Sequence, residues 1–350
     1  MAAPPAPLPS NRRLILYFVL LAALLPEAIT GSTPPLAWLN PVQALLNLWL
    51  YGTGVIVVRE LSLRWKAGWA GILLLGAAYG IVEEGLAVTT FFDPTLPQLA
   101  GGALAWYGRL GGVNWVWTVW LTIFHAIFSM AIPIFLIEWH YPALRGRSLL
   151  SKRGLAATVI LLGLATLTIN ALVNAMVAYR VGLPEYVGAL GAIALFVYLA
   201  RRGVGRVWLR LPTGRMPPRW AYAVGGYAFF GLSFLVYAGG PTFGGVPAVT
   251  YLEGGLLLLL AILLLRRTVG QADAERARFA FVAGSIAFFA TFSVLVGLSG
   301  NPAYFGLWAV GPFFVLYVMW LYREKGPERP VVPGSALLTG DQTTGTGGQQ

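Results

Sequence analysis

The 350-residue sequence contains no cysteine and only two histidines, His125 and His140. The absence of cysteine excludes disulfides, thiolate metal ligands and a cysteine nucleophile. Charged residues are also scarce, at 11% of the chain, whereas they make up about a quarter of a soluble globular protein. The sequence also lacks HExxH, GxSxG, P-loop and dinucleotide-binding motifs. These absences exclude an ordinary soluble domain and several familiar enzyme classes.

The residues that are abundant are apolar: the chain is 57% hydrophobic, with a mean hydropathy of +0.71. Apolar runs of about 17–25 residues are long enough to cross a bilayer. The sequence contains ten such runs, which predict an all-α, polytopic transmembrane helical bundle and therefore an integral, multi-pass membrane protein. They lie near residues 14–30, 41–58, 69–92, 114–138, 154–178, 183–200, 220–238, 247–265, 279–299 and 304–322.

Basic residues fall almost entirely on one side of the predicted membrane. Of the 24 Lys and Arg residues, all but Arg109 and Arg180 lie in loops or tails on that side. The positive-inside rule makes this side cytoplasmic, so both termini are expected inside. The net charge of +11 therefore reports topology, with membrane lipid as the expected partner of the basic residues and no nucleic acid. The expected location is a prokaryotic cytoplasmic membrane.

The sequence divides into a transmembrane domain over residues 14–322 and two short cytoplasmic tails, 1–13 and 323–350. Both tails are poor in large apolar residues and are predicted to be disordered. The first span also resembles a secretory signal peptide, so its cleavage stays open. The sequence does not indicate an oligomeric state.

Two adjacent glutamates, Glu83 and Glu84, lie within the third span. A carboxylate there costs about 2.5–3.5 kcal/mol on membrane-insertion scales. With a rise of about 1.5 Å per residue, Glu83 and His125 of the fourth span both lie roughly 13–17 Å below the outer surface. Asn170 and Asn174 of the fifth span fall in the same half of the membrane. We therefore predict a small polar chamber among these three spans.

Helical spacing places the polar residues of each of these spans along one edge. Gly76 and Gly80 form a small-residue stripe with Glu84, along which a neighbouring backbone can approach closely. Polar edges inside a membrane normally face the bundle or a wet cavity. On the fourth span we assign the edge residues other than His125 to substrate binding: Asn114, Thr118, Thr122 and Ser129.

A purely structural role is the main alternative for these residues. In that interpretation the glutamates form ion pairs with Arg109 or Arg180, and His125 is a hydrogen-bonded core residue. The two asparagines are as readily explained as hydrogen bonds between helices. A catalytic metal site usually needs three protein ligands, and two glutamates that point about 100° apart suit it poorly, so we expect no metal or cofactor. Glu253, near the outer end of its span, is considered as an extra member of the chamber.

The order of the polar motifs resembles the CPBP family of intramembrane proteases, which includes type II CAAX prenyl endopeptidases and bacterial Abi proteins. That family has a di-glutamate motif in one membrane helix, a motif ending in histidine in the next, and an HxxxN-like motif in a third. The counterparts here are Glu83 with Glu84, "LTIFH" ending at His125, and "NALVN" from Asn170 to Asn174. This resemblance covers about 100 of the 350 residues.

The sequence departs from the family pattern at three positions. Val88, Leu121 and Asn170 stand where the family has arginine, phenylalanine and histidine. The resemblance implies that Glu83 and His125 activate a water molecule. It also implies that the amides of Asn170 and Asn174 donate hydrogen bonds to the oxyanion of a peptide tetrahedral intermediate, a task that needs fixed donors.

Two functions from different classes follow from these residues. The first is an intramembrane glutamate-type hydrolase or protease-like enzyme that acts on a membrane-associated peptide or a related small molecule. Its catalytic residues would be Glu83, Glu84, His125, Asn170 and Asn174. The alternative is a proton-coupled transporter in which Glu83 or Glu84 titrates as the cargo moves. A third interpretation, a non-catalytic membrane scaffold, stays open, as does the identity of the substrate.

Overall fold

The computed structural model describes residues 8–95, 102–204, 214–243 and 245–324. These residues form α-helices, two π-helices (Val82–Ala87 and His125–Ala131) and one short hairpin, in which β1 (Arg109–Leu110) pairs antiparallel with β2 (Val113–Asn114). The α-helices are α1 (Asn11–Thr30), α2 (Pro41–Arg64), α3 (Gly68–Ile81), α4 (Trp115–Phe124), α5 (Ile132–His140), α6 (Lys152–Met176), α7 (Leu183–Arg202), α8 (Arg219–Gly239), α9 (Pro247–Arg266), α10 (Ala274–Gly297) and α11 (Leu307–Glu324). Single 3-10 turns cover Pro35–Leu39, Ala103–Ala105, Pro142–Leu144 and Pro302–Tyr304.

Ten helical segments of the described chain are long and apolar enough to cross a membrane. They correspond one for one to the predicted runs, which confirms the all-α bundle of ten spans. Two of them are composite: α3 continues into the first π-helix, and α4, the second π-helix and α5 form a single span from Trp115 to His140. An even number of crossings returns the chain to the side on which it started.

Several helix ends differ from the predicted ones, and three of them concern the site or the tails. The third span ends at Ala87, five residues before the predicted end, because residues 88–95 turn back as an irregular segment. Helix α1 begins at Asn11, so residues 11–13 of the predicted tail are helical. Helix α11 extends to Glu324, two residues into the other predicted tail. The rest of the tails, 1–7 and 325–350, lies outside the described residues.

The third and fourth spans form the centre of the bundle. In their most apolar stretches 67% and 83% of the residues are buried, compared with 11% in α6 and in α7. An aromatic cluster joins the fourth span to α8 and α10, with the rings of Phe128 and Phe289 only 4.4 Å apart and Phe230 against both. The glutamates and His125 therefore lie on the two most enclosed spans.

Glycines allow the third and fourth spans to pack backbone against backbone. A Cβ atom on Gly76 would lie 2.9 Å from the Cα of Ala126, and one on Gly80 would lie 3.0 Å from the Cβ of His125. Contacts this short exclude larger residues at both positions unless the helices move apart. The predicted close approach along this stripe is confirmed, and it brings His125 against the helix that carries the glutamates.

A buried ion-pair network closes the cytoplasmic end of the central spans. The guanidinium of Arg59, 3% exposed, donates to Glu138 at 3.0 Å and to the carbonyl oxygens of Leu144 and Arg147 at 2.7 and 3.2 Å. Glu60 lies 3.4 Å from the same guanidinium. Arg59 and Glu60 thus pair with each other, and both also bind backbone groups of the loop after α5.

Candidate functional site

The two glutamates of the third span and the histidine of the fourth span lie in π-helices. The backbone N–H of Val88 donates to the carbonyl of Glu83, and that of Ile132 donates to the carbonyl of Ile127, which are both bonds across five residues. A π-helical turn inside an α-helix is rare and frequently marks a functional site. Its wider turn also reduces the angle between successive side chains, so Glu83 and Glu84 can contact the same neighbour.

That neighbour is His125, whose imidazole lies between the two carboxylates. Nδ1 lies 3.2 Å from Oε2 of Glu83, and Nε2 lies 3.1 Å from Oε1 of Glu84. The three residues are 4%, 9% and 2% exposed in chain order, so the cluster is almost fully enclosed by protein. The structure thus brings the two glutamates and the histidine together in one charged cluster.

Neighbouring hydroxyl groups hold two members of the cluster. Ser129, one turn after the histidine, lies 2.9 Å from Nδ1 of His125. Thr90, in the segment that turns back after the first π-helix, donates a hydrogen bond to Oε2 of Glu84. Ser129 was assigned to substrate binding from the sequence, and in the structure it orients the imidazole.

Two polar atoms in the cluster have no hydrogen-bond partner among the described residues. One is Oε2 of Glu83, whose short contact with His125 lacks hydrogen-bond geometry. The other is the hydroxyl of Tyr79 on α3, which interacts electrostatically with Glu83. Buried polar groups are nearly always satisfied, so these two groups are completed either by a hydrogen bond from the Tyr79 hydroxyl to Glu83 or by a water molecule or small ligand between them.

A third carboxylate extends the cluster toward the outer surface. Glu27 of α1 accepts hydrogen bonds of 2.5 Å from the hydroxyls of Tyr51 and Thr33. Tyr51 in turn packs with its ring centre 6.3 Å from that of His125, and its hydroxyl interacts with Glu83. Glu27 is not among the site residues predicted from the sequence. The signal that could have found it is the carboxylate itself, since an ionisable residue inside a span is a functional candidate by default.

The two outer arginines, Arg109 and Arg180, bind backbone carbonyls instead of the glutamates. Arg109 donates to three backbone carbonyls of the outer loop, those of Phe92, Ala105 and Gly112, and burial lowers the pKa of its guanidinium. Arg180 is exposed and donates to the carbonyls of Val177 and Tyr179. The predicted ion pairs of the structural interpretation are therefore wrong, and among the described residues the imidazole of His125 is the basic group that contacts both glutamates.

The two asparagines of α6 lie beside the cluster but point elsewhere. The amide of Asn170 donates to the carbonyl of Leu86 at 2.8 Å and to the hydroxyl of Tyr186 at 3.0 Å. The amide of Asn174 donates to Asn170. Both amide hydrogens of Asn170 are therefore engaged, and its contact tethers α6 to the first π-helix.

The remaining predicted positions are distributed along the fourth span and beyond. Asn114 caps α4 and donates to the carbonyl of Leu104 in the outer loop, about 16 Å along the helix from His125. Thr118 and Thr122 are half-buried, and the hydroxyl of Thr118 has no partner among the described residues. Glu253 is exposed on α9, so its proposed membership of the chamber is wrong.

The cluster has the composition of a metal site. Glu83, Glu84 and His125 each offer one ligand atom, and these atoms all lie within 4.8 Å of one another. The expectation that the glutamates diverge too far to share a ligand does not hold here, because the π-helix brings both onto the same imidazole.

Two open cavities of the described chain lie away from the cluster. One, of about 360 Å³, is at the cytoplasmic end beside Arg59 and Lys66. The other, of about 450 Å³, is at the outer surface beside Leu36 and Asn301. Neither is lined by a member of the cluster, so a large substrate would need a different path to it.

The comparison with known families agrees with this architecture. Residues 16–324 match a family described as an uncharacterized membrane protein family. The chain belongs to this family. The match covers both π-helices and all ten spans except residues 11–15 of the first, and it supports an integral, multi-pass membrane protein in a lipid environment. It is not the CPBP family, so that resemblance rests on the motifs alone. No curated protein and no solved structure matches the chain.

Proposed function

We propose that the protein is an intramembrane hydrolase in which the Glu83, Glu84 and His125 cluster activates a water molecule. The observation that carries the proposal is the imidazole held between two buried carboxylates, one of which keeps an unsatisfied oxygen. An acid–base group oriented by a second buried group is the usual arrangement for activating a nucleophile. Intramembrane ionisable clusters of this kind are functional by default.

In the proposed reaction Glu83 accepts a proton from water as the water oxygen bonds to the carbonyl carbon of an amide. The same proton then passes to the leaving nitrogen as the carbon–nitrogen bond breaks. His125 holds Glu83 in position, and Glu84 with Thr90 fixes the other side of the imidazole. A general base of this kind contributes about 10²–10⁴-fold to the rate.

The oxyanion of the intermediate needs a donor, and the hydroxyl of Tyr79 is the best candidate. It is buried, has no hydrogen-bond partner among the described residues and lies toward Glu83. Asn170 and Asn174 could take this role only after leaving their present contacts. We assign Asn170 instead to positioning, because it holds the carbonyl of Leu86 three residues after Glu83.

A membrane-associated peptide is the substrate class that fits this location. Helices α6 and α7 are the least buried of the neighbouring spans, so they present the path from lipid with the fewest contacts to break. The tether of Asn170 to Leu86 lies on this path. A substrate that enters from the bilayer would reach Glu83 by separating α6 from the first π-helix.

The test is cleavage of a panel of acylated and prenylated peptides by the purified protein in proteoliposomes, with products identified by mass spectrometry. Glu83→Gln and His125→Ala are expected to lower the rate at least 100-fold. Tyr79→Phe is expected to lower it about 100-fold through loss of an oxyanion donor.

Matched controls are available for both residue types. Glu253→Gln changes an exposed glutamate, and His140→Ala changes the other histidine, at the cytoplasmic end of α5. Both variants should cleave at the wild-type rate. Cleavage that persists in Glu83→Gln protein of normal fold would eliminate this mechanism.

A second function, proton-coupled transport, is favoured by one specific observation. A chain of hydrogen bonds runs from the half-buried Gln43 through Asn47 and Thr33 to Glu27, and on to Tyr51 beside the cluster. Such a chain connects the buried carboxylate of Glu27 to the outer surface. In this interpretation Glu83 or Glu84 carries the coupled proton.

Vesicles that contain the protein and a pH-sensitive dye separate the two functions. A carrier should dissipate an imposed pH gradient when its cargo is present, and Glu84→Gln and Glu27→Gln should both slow this at least tenfold. A gradient that decays at the same rate in wild type and both variants would remove the transport interpretation.

A further inference from the structure

The charge of the cluster is not balanced by the protein around it. Glu83 and Glu84 are both buried, and the described part of the chain brings no lysine or arginine to either carboxylate. Glu27 adds a third carboxylate nearby through Tyr51. A single imidazole can offset at most one negative charge. Uncompensated charges are strongly unfavourable in a low-dielectric interior, so the buried carboxylates must take up either protons or a cation.

We propose that Glu83, Glu84 and His125 bind one divalent transition-metal ion of the Zn²⁺ or Mn²⁺ type. Their ligand atoms lie within 4.8 Å of one another, and Nε2 of His125 and Oε1 of Glu84 are 3.1 Å apart. When two ligand atoms each bind the same metal ion at about 2.0–2.2 Å, the distance between the two ligand atoms is close to the 3.1 Å found here. An ion at this point would replace the proton between Nε2 and the Glu84 carboxylate, and Glu83, whose Oε2 lies against Nδ1, would join it by turning its carboxylate toward Nε2.

The unsatisfied atoms of the cluster are an independent sign of a ligand. Oε2 of Glu83 is buried and has no hydrogen-bond partner within the described ranges, although it faces the histidine. A metal ion on Nε2 would supply the missing partner once the Glu83 carboxylate turns from Nδ1 toward it. The hydroxyl of Tyr79, equally unpartnered, lies toward Glu83, where it could contact a water molecule in an open coordination position.

The groups behind the three ligands match those found behind metal ligands in proteins. A metal-binding histidine normally keeps its second ring nitrogen in a hydrogen bond, and here Ser129 lies 2.9 Å from Nδ1. A metal-binding carboxylate is normally hydrogen-bonded as well, and Thr90 donates to the second oxygen of Glu84. Nε2 of His125 and Oε1 of Glu84 are thus oriented toward one point by residues that do not bind the ion themselves.

The ligand chemistry selects a class of ion. Imidazole suits zinc and other first-row transition ions, whereas carboxylates also suit manganese and magnesium. Magnesium prefers oxygen ligands in an octahedron and keeps several waters, which a site with a nitrogen ligand in a nearly closed interior does not favour. We therefore expect tighter binding of Zn²⁺ and Mn²⁺ than of Mg²⁺.

This inference rests on the proposed function only in using the same three residues, because binding can be measured without any reaction. The experiment is isothermal titration of the full-length protein in detergent, after removal of metals by a chelator, with Zn²⁺, Mn²⁺ and Mg²⁺ as chlorides. Wild type should bind one Zn²⁺ or Mn²⁺ per chain, at least tenfold more tightly than Mg²⁺. Glu83→Gln, Glu84→Gln and His125→Ala should each weaken binding at least 100-fold.

Ser129→Ala keeps all three ligands and removes only the group behind the histidine, so it remains informative if the ligand variants fold poorly. It should weaken binding about tenfold. His140→Ala and Glu253→Gln are the controls and should bind as wild type does. The proposal is overturned if wild type shows no saturable binding of Zn²⁺ or Mn²⁺, or if His125→Ala and Ser129→Ala bind with wild-type affinity.

The hydrolase and the metal site can fail separately. Saturable binding that depends on His125, without cleavage of any peptide, would reject the hydrolase and leave the metal site standing. Cleavage by chelator-treated protein that binds no metal would reject the metal site and leave the hydrolase standing.

Discussion

The hydroxyl of Tyr51 donates a 2.5 Å hydrogen bond to Oε1 of Glu27, and this bond joins the first two spans next to the charged cluster. Tyr51 is 2% exposed, so neither group can exchange its partner for bulk water. The bond also places a third carboxylate within the electrostatic reach of His125. The cluster is therefore built by the first four spans together.

Replacement of Tyr51 by phenylalanine removes this donor and leaves a carboxylate oxygen of Glu27 with one partner fewer. A buried acceptor that loses its partner costs about 1–3 kcal/mol, so the thermal unfolding midpoint in detergent should fall. Tyr227→Phe is the matched control, since that ring is 40% exposed on α8. Equal midpoints for the two variants would show that the bond to Glu27 adds nothing to stability.

Replacement of Asn170 by alanine should loosen the first π-helix. The amide of Asn170 is the donor to the carbonyl of Leu86, and its loss should cost about 1 kcal/mol. Hydrogen–deuterium exchange of residues 82–88 is expected to rise. Thr168→Ala, an exposed change on the same helix, should leave exchange in that segment unaltered. If Asn170→Ala leaves exchange over 82–88 unchanged, α6 does not hold this segment.

Gly76→Ala should destabilise the bundle, because its Cβ atom would lie 2.9 Å from the Cα of Ala126 and would force the two central spans apart. Overpacking of this kind typically costs about 1–3 kcal/mol. Gly163→Ala provides the control on α6, where no atom lies within 4 Å of the added Cβ. There the higher helix propensity of alanine should leave stability unchanged or slightly raised. Thermal unfolding of both variants in one detergent is the measurement, and the opposite order would refute the tight contact.

Arg59→Met should be the most destabilising of these changes. It leaves Glu138 and the carbonyls of Leu144 and Arg147 without their buried donor, and loss of one partner of a buried ion pair costs about 3–5 kcal/mol. Arg145→Met breaks the exposed pair with Glu275 and should cost less than about 1 kcal/mol. Expression level and thermal midpoint in detergent report both effects. A similar loss in the two variants would mean that burial of Arg59 has no special weight.

Hydropathy was sufficient to predict the spans, because the requirement for about twenty apolar residues is a property of composition. It also predicted that Glu83, Glu84 and His125 share one region, since adjacent spans and comparable depth follow from counting residues. The outward path through Glu27 and Tyr51 could not be predicted in the same way. It depends on which face of α1 packs against α2. A single sequence does not indicate that Glu27 and Tyr51, 24 positions apart, are in contact.

The orientation of the asparagine side chains could not be predicted from the sequence for a similar reason. Asn170 has the spacing of a catalytic amide, yet its two hydrogens are used by Leu86 and Tyr186, which only the packing of three helices decides. The π-helices could not be predicted either, because their amino-acid composition does not differ from that of an α-helix. The local angle between Glu83 and Glu84, on which the metal site depends, therefore came from the structure.

The two π-helices make the centre of the protein sensitive to the number of residues as well as to their identity. A π-turn spans one more residue than an α-turn, so deleting a single residue from 82–87 could let the segment relax to an α-helix. Because the lost residue and the lost wide turn offset each other, the helix on the two sides of the deletion would keep its register, and only the side chains inside the segment would move. In a chain one residue shorter at this point, the two glutamates would point about 100° apart, as in a regular α-helix, and would not both face the imidazole.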